Sequence, residues 1–448
     1  MNINFINVSI IIGLILIIWD FKIKKTNLSY ILILLVLSIL ILNINLASTY
    51  LFDLGIWKLL FLALITFCLL ILFELIINKT FDIYCLLLLS YFGSIILIIS
   101  DNLLTTYLGL ELQTFSIFIL IAKNRSSIKS SEAGLKYFML GAISSGFYLL
   151  SVVILFLFGY TLELKDLVFF SSDLVVYLSI TLILLSFSFK LSLTPFHFWV
   201  PDIYEGSSWD VITLIATLPK ISVICVFLQI LLNSNLVLFL SLSSIIIGTL
   251  GALNQTKLKR LLAYSGISQM GFIILAYSTN SNSSITIGTL YVLIYIFINI
   301  SLFILIINYN KESNFIIELG SLNFINKILS ITMVLIILSV AGIPPLSGFI
   351  NKWYLIWCTI ENHYIFSSLI IILCSTIGLG YYLRLVKTIY FQKRGSYFFW
   401  VNILVKDTNQ DNGLLYGMLG FLFFINLFLI FNFTFLINII TYLFMNIY

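Results

Sequence analysis

Two lysines of this chain lie in apolar segments that prolines interrupt. Lys190 precedes Pro195 in SFSFKLSLTPF, whereas Lys352 follows Pro344 and Pro345 in AGIPPLSGFINK. Proline frees a backbone carbonyl that lipid cannot satisfy, and a lysine at membrane depth costs about 3 kcal/mol. A broken helix that carries a buried amine therefore predicts a path for ions, and protons are what an amine can carry.

A third lysine and a glutamate extend this set. Lys220 follows Pro219 in ATLPKISVI, and Glu111 lies in TTYLGLELQTFSIFIL with no basic residue within a turn. A carboxylate at that depth must find a cation on another helix or stay protonated, and Lys190 is the expected partner. An amine whose charge depends on a nearby carboxylate can take up and release a proton. The alternatives are a static ion pair for Glu111 and snorkelling amines for Lys220 and Lys352.

The remaining candidates carry weaker signals. His197, in TPFHFWVPD, is a possible secondary proton relay, with a hydrogen-bonded structural histidine as the alternative. Arg384 and Lys136 lie near the predicted ends of helices and are expected to anchor them at the membrane interface. The five cysteines are scattered without C-x-x-C spacing, and two histidines are too few for a transmembrane haem set. The sequence therefore predicts no metal, disulfide or redox centre.

The composition excludes a soluble globular protein. Of the 448 residues, 61% are hydrophobic and only 9% are charged. Segments of about 20 apolar residues can each cross the bilayer, and about fourteen are predicted. The N-terminal segment has no basic start and no cleavage site, so it is predicted to be the first of them. The predicted helices lie near 3–19, 27–46, 56–77, 82–100, 102–123, 131–160, 174–198, 208–234, 236–254, 257–279, 284–309, 327–360, 363–390 and 412–444.

Basic residues collect in alternate loops, which supports this count. They follow the odd-numbered helices, and Lys58 and Lys165 are the exceptions. The positive-inside rule then places these loops on the inner side, the matrix or cytoplasm, and both termini on the outer side. Matching proline interruptions in two halves also predict internal repeats. The predicted divisions are 1–80 with three N-terminal helices, 81–235 and 236–391 with one repeat each, and 392–448 with a loop and a last helix.

Five motifs resemble those of one family, the antiporter-like membrane subunits of respiratory complex I. They are LGLELQ, SEAGLKYFMLGAISSG, FKLSLTPFHFWVPDIYEG, LGALNQTKLKRLLAYSGISQMGF and AGIPPLSGFINKWY. The resemblance runs from about Asp101 to Arg394. It implies an all-α polytopic membrane protein with two inverted five-helix repeats, each containing a proline-broken helix. The three additional helices before residue 80 are similar to the long form found in bacteria, plants and many protists.

The resemblance also implies a function and a site. The family's proton channel uses a glutamate and three lysines, which match Glu111, Lys190, Lys220 and Lys352. One pump unit of an NADH:ubiquinone oxidoreductase would follow, driven by remote quinone reduction in the mitochondrial inner membrane, with a bacterial plasma membrane or thylakoid as alternatives. NADH, FMN, iron–sulfur clusters and ubiquinone would be bound by other subunits, and this chain would carry no redox centre. Its expected partners are other membrane-arm subunits, lipids and protons, and no nucleic acid.

One departure and three alternatives accompany this interpretation. After YEG the family usually continues with a small residue and a P-T-P-V-T-like run, whereas this chain has Ser207, Ser208, Trp209, Asp210 and Val211, so the prolines expected at the start of the eighth helix are absent. A multisubunit cation/proton antiporter shares the lysine-bearing helices. A non-pumping structural subunit is a further alternative, as is the plastid ferredoxin-dependent homologue.

Overall fold

The computed structural model describes residues 56–75, 81–124, 127–169, 173–230, 234–309, 315–320, 322–392, 413–428 and 433–444. Within these ranges the chain forms helices and no strand, as the apolar composition predicts. The predicted helices near 3–19 and 27–46 lie outside the described residues. Residues 393–412, which include most of the predicted loop before the last helix, also lie outside the described residues.

The helix bounds agree closely with the apolar segments. In the first half the helices are α1 Ile56–Leu75, α2 Phe81–Ile99, α3 Leu103–Ile121, α4 Ile128–Leu157, α5 Leu164–Phe169, α6 Leu174–Lys190, α7 Trp199–Gly206 and α8 Trp209–Gln229. In the second half they are α9 Ser234–Leu253, α10 Leu258–Ser278, α11 Asn282–Tyr309, α12 Leu322–Ile325, α13 Lys327–Ala341, α14 Ser347–Glu361, α15 Ile365–Phe391, α16 Gly413–Phe428 and α17 Phe433–Phe444.

Both predicted helix interruptions are present. The segment expected at 174–198 ends as a helix at Lys190 and resumes at Trp199, so Pro195 lies in the break. The segment expected at 327–360 is split into α13 and α14, with Pro344 and Pro345 between them. The short helices α5 and α12 were not predicted. The segment expected at 412–444 contains α16 and α17, and residues 429–432 between them lie outside the described ranges.

The order of helices is the same in the two halves. From α2 to α8 the fourth long element, α6 with α7, is interrupted, and a fifth continuous helix follows. From α9 to α15 the fourth long element, α13 with α14, is interrupted in the same way. The parallel order fits the predicted repeats, whose exact boundaries stay a prediction.

The helices are suited to a membrane, and their burial shows which ones form the interior. Nine helices in the described ranges are long and apolar enough to cross a bilayer. The apolar stretch of α8 is entirely buried, whereas only a third of that of α4 or α15 is buried. α8 is therefore central, and α4 and α15 present apolar surface to lipid or to neighbouring chains.

An ion pair explains one exception to the charge bias of the loops. The Nζ atom of Lys58 lies 2.7 Å from Oδ1 of Asp101, and the lysine side chain is 3% exposed. Lys58 lies in the first turn of α1, and Asp101 precedes α3. The pair therefore joins α1, which is the third predicted helix, to the first predicted repeat. Its positive charge is neutralised and does not contradict the predicted orientation.

Candidate functional site

Lys190 is the last residue of α6 and lies directly before the helix break. Its side chain is 8% exposed, and its Nζ lies 5.7 Å from the centre of the Phe189 ring. Glu111 acts on it electrostatically. The two residues that the sequence predicts as partners therefore interact through charge, across α3 and α6.

Glu111 lies in the third turn of α3 and is half-buried. Thr114 donates a hydrogen bond to its backbone oxygen at 3.1 Å, and Tyr107 lies beside its carboxylate. Among the described residues no ion pair within 4.0 Å joins Glu111 to Lys190. A closed, static ion pair between Glu111 and Lys190 is therefore not present.

Lys220 lies in the middle of α8, which continues through Pro219 without a break. Its side chain is 4% exposed, and its Nζ donates a hydrogen bond to the hydroxyl of Tyr295 at 3.0 Å. The alternative of a snorkelling lysine at a shallow break is wrong. Neighbouring helices bury the whole apolar stretch of α8, so Lys220 lies in the interior although a proline precedes it.

Lys352 lies in the second turn of α14 and reaches back across the break to α13. Its Nζ donates a hydrogen bond to the carbonyl oxygen of Ala341, the last residue of α13, at 2.6 Å. Its side chain is 8% exposed, and Nζ lies 5.9 Å from the centre of the Phe272 ring. The amine therefore serves as a partner for a carbonyl that the broken helix leaves free. Snorkelling to the interface is wrong for this lysine also.

Gly342 makes this arrangement possible. Its φ of +84° is in the left-handed region that ends many helices and favours glycine. A Cβ at this position would lie 2.8 Å from Cδ of Lys352 and 3.1 Å from its Nζ. Both the turn and the space for the amine thus depend on the missing side chain.

A small cavity with several polar side chains in its walls lies among α10, α11, α13 and α14. Its volume is about 20 Å³, sufficient for one water molecule, and its walls include Gln269, Tyr291, Tyr295, Asn299 and Asn351. Tyr291 donates to Oε1 of Gln269 at 2.5 Å. Nδ2 of Asn299 and Oδ1 of Asn351 are buried without a hydrogen-bond partner, as expected of groups that bind water. Tyr295, the hydrogen-bond partner of Lys220, and Asn351, the residue before Lys352, both line this cavity.

These neutral residues were missed in the sequence. Tyr291, Tyr295 and Asn299 recur every four residues along α11 and thus share one face. Polar side chains with that spacing in an otherwise apolar helix are a signal that sequence inspection could have used. Gln269 and Asn351 are single polar residues in their helices and carry no comparable pattern.

His197 lies in the break between α6 and α7. Its side chain is 5% exposed, its ring centre is 4.4 Å from that of Phe198, and its Nδ1 has no hydrogen-bond partner. The histidine is therefore neither at the surface nor held by a hydrogen bond through that nitrogen. A role in proton relay stays a prediction.

An ion-pair network lies at the predicted inner surface. Glu205 of α7 pairs with Lys129, Lys257 and Arg260. Burial alone would raise the pKa of Glu205, but hydrogen bonds from Lys257 and Lys129 and the charge of Arg260 lower it to about 2. The network joins the second half of the broken helix in the first repeat to the start of α10 in the second.

The two expected interface anchors are at the surface. Lys136 is 40% exposed and pairs with Glu132 at 2.6 Å and with Asp202 at 2.7 Å. Arg384 is exposed and donates to the backbone oxygens of Leu253 and Gln255, each at 3.4 Å. Neither residue reaches the buried amines.

Comparison with known proteins matches this arrangement to one family. Residues 100–378 match the model of the transmembrane region shared by NADH:quinone oxidoreductase and the Mrp antiporter. The NADH-ubiquinone oxidoreductase chain 2 of Metridium senile is 37% identical over 75% of this chain and 92% of its own. The NADH-quinone oxidoreductase subunit N of Pelagibacter ubique is 36% identical over 74% and 73%. A chain of respiratory complex I from Thermus thermophilus has the same fold, with a TM-score of 0.83, 22% identity and coverage of 96% and 98%.

Proposed function

The chain belongs to the family of NADH-ubiquinone oxidoreductase chain 2 and bacterial subunit N, and on that premise we propose that it translocates protons. It is a multi-pass membrane subunit of an NADH:quinone oxidoreductase and associates with other membrane-arm subunits. The observation that carries the proposal is the burial of three amines, those of Lys190, Lys220 and Lys352, together with a water-sized cavity lined by the hydrogen-bond partner of Lys220, Tyr295. Burying a charged amine inside the membrane costs free energy, and structural packing alone does not require three buried lysines.

The proposed route begins at Glu111 and Lys190. Because their charges interact without a closed ion pair, a change in the charge of Glu111 alters how firmly Lys190 holds its proton. Lys220 exchanges a proton through the hydroxyl of Tyr295, which can donate and accept. A water molecule in the cavity then completes the connection toward Lys352.

The energy for this movement comes from chemistry outside the chain in our proposal. NADH, FMN, the iron–sulfur clusters and ubiquinone are assigned to other subunits, and this chain binds none of them. We place the complex in the mitochondrial inner membrane, with a bacterial plasma membrane or a thylakoid as the alternatives. Ile, Phe, Asn, Lys and Tyr are abundant, and their A/T-rich codons are typical of organelle genomes.

The alternative of a cation/proton antiporter subunit has less support. The matched family model covers both kinds of protein, so the fold does not separate them. The two relatives described above exceed 30% identity and are both oxidoreductase subunits. Sodium transport by the purified assembly would reverse this preference.

Neutralising variants in the assembled complex test the proposal. In sealed vesicles, Glu111→Gln and Lys352→Gln should lower the number of protons pumped for each quinone reduced, while the complex still assembles. Glu132→Gln is the matched control, because Glu132 is 58% exposed and lies outside the buried line. Normal pumping by both buried variants would show that these residues do not carry protons.

A further inference from the structure

A row of polar side chains follows one face of α8 from its inner end to Lys220. Asp210, Thr213, Thr217 and Lys220 are spaced by three, four and three residues, which places them on one side of the helix. The rise from Asp210 to Lys220 is about 15 Å. Thr213 and Thr217 are each 1% exposed, so the row is buried beyond Asp210.

The two threonines are oriented along the row. Thr213 donates to the backbone oxygen of Asp210 at 2.6 Å, and Thr217 donates to that of Thr213 at 2.8 Å. Each hydroxyl oxygen retains lone pairs that can accept a hydrogen bond from water or from an amine. The face thus carries two acceptors, Thr213 and Thr217, in the almost three turns that separate Asp210 from Lys220.

One face of α10 approaches Lys220 of α8. Lys259, Ala263 and Gly266 are spaced by four and three residues and share one side of that helix. A Cβ built on Gly266 would lie 3.6 Å from Nζ of Lys220. The face of α10 that carries Lys259 at the start of the helix therefore reaches the amine of Lys220 at Gly266.

Lys259 is buried at the inner end of this face. It is 9% exposed, its Nζ donates to the carbonyl oxygen of Ser207 at 2.7 Å, and it lies 5.2 Å from the centre of the Trp209 ring. Asp210, Glu205 and Lys129 act on it electrostatically. Among the described residues no carboxylate lies within 4.0 Å of its Nζ, whereas the neighbouring Lys257 is paired with Glu205.

The indole of Trp209 indicates that a water molecule is bound near Lys259. The residue is 3% exposed, and its indole N–H is buried without a hydrogen-bond partner. A buried donor without a partner in a native protein commonly binds a water molecule.

We infer that Lys259, with Asp210 and Trp209, forms a proton-uptake site on the inner side that supplies Lys220 along the polar face of α8. The inference rests on the proposed function. In the transfer, the ammonium group of Lys259 releases one proton toward water held at Thr213 and Thr217, and the neutral amine takes one proton from the inner aqueous phase. Asp210 stabilises the charged form, and no other bond is made or broken.

Access of water to this face can be measured without reference to pumping. Thr213→Cys and Ile215→Cys lie on opposite sides of α8, and both positions are at most 3% exposed. In inside-out vesicles that contain the assembled complex, a membrane-impermeant methanethiosulfonate reagent should label Thr213→Cys at least about tenfold faster, because thiol reactivity follows water access. The unsubstituted complex corrects for the native cysteines. Equal labelling of the two positions would overturn the inference.

The role of Lys259 is tested by Lys259→Arg. Arginine keeps the charge and can stack on Trp209, but it cannot release a proton. The variant should assemble and reduce quinone with uncoupler present, yet pump fewer protons for each quinone. Lys387→Gln, which removes an exposed lysine of α15, should pump like the parent.

The outcomes separate this inference from the function on which it rests. If Lys259→Arg pumps normally, Lys259 is a structural cation and the uptake site is wrong. Lys259→Gln repeats the test without the bulk of the guanidinium, and normal pumping by that variant leads to the same conclusion. If Lys220→Gln pumps normally although Thr213→Cys is labelled, the proposed function fails and the water-accessible face remains.

Discussion

The strongest test of the geometry around Lys352 is Gly342→Ala. The substitution places a methyl group 2.8 Å from Cδ of Lys352, well inside the 3.5–4.0 Å of an ordinary carbon contact. The side chain must therefore move, and the hydrogen bond from Nζ to Ala341, now 2.6 Å long, is lost. A hydrogen bond from a charged donor contributes about 1.5–3 kcal/mol. The left-handed φ of +84° adds about 1–2 kcal/mol of backbone strain.

Gly159→Ala separates these two effects. Gly159 has a φ of +76°, but a Cβ there would have no atom within 4 Å. Both variants should therefore lower the stability of the subunit through backbone strain. Only Gly342→Ala displaces the amine.

The assay compares protons pumped with quinone reduced in sealed vesicles, after the amount of assembled complex has been measured. Gly342→Ala should lower the ratio of protons to quinone, and Gly159→Ala should leave it unchanged. Equal ratios for the two variants would refute the argument that the position of Lys352 governs proton transfer.

Three other substitutions have distinct expected outcomes. Tyr295→Phe removes the hydrogen-bond partner of Lys220 and should lower pumping more than assembly, measured by the same ratio. Glu205→Gln should lower the thermal stability of the purified complex by about 0.5–1 kcal/mol at neutral pH, because its ion pairs are close to the surface. The pKa of Glu205, about 2, lies below the ordinary 4.5, so this difference from the parent is full above pH 4.5 and disappears as pH falls toward 2. Gly348→Ala should prevent assembly, as its Cβ would overlap the backbone of α13, whereas Gly380→Ala, with no atom within 4 Å, should assemble normally.

The sequence predicted the parts of the site that carry charge or break a helix. Lys190 and Lys352 could be found because an ionisable residue in an apolar segment is costly, and Pro195 and Pro344 because proline cannot continue a helix in lipid. The burial of the lysines and the places of the breaks are confirmed. Their roles in proton transfer stay predictions.

Features that depend on which helix faces meet could not be predicted in the same way. Tyr295 and Gln269 are neutral, and only the packing of α10 against α11 shows that they line the same cavity. Pro219 carries the same local signal as the other prolines, yet α8 stays continuous because its neighbours enclose it. Lys58 is an exception to the charge bias of the loops, and only the fold brings Asp101 beside it to neutralise its charge.

The hydrogen bond from Lys352 to Ala341 has a mechanical consequence. Helix dipoles leave partial negative charge at the C-terminal carbonyls of α13, and the ammonium group of α14 rests against it. A neutral amine forms a hydrogen bond about half as strong as a charged one. Under the proposed function, loss of the proton from Lys352 weakens its hydrogen bond to the last turn of α13 and return of the proton strengthens it, so the protonation of Lys352 and the contact between the two half-helices change together.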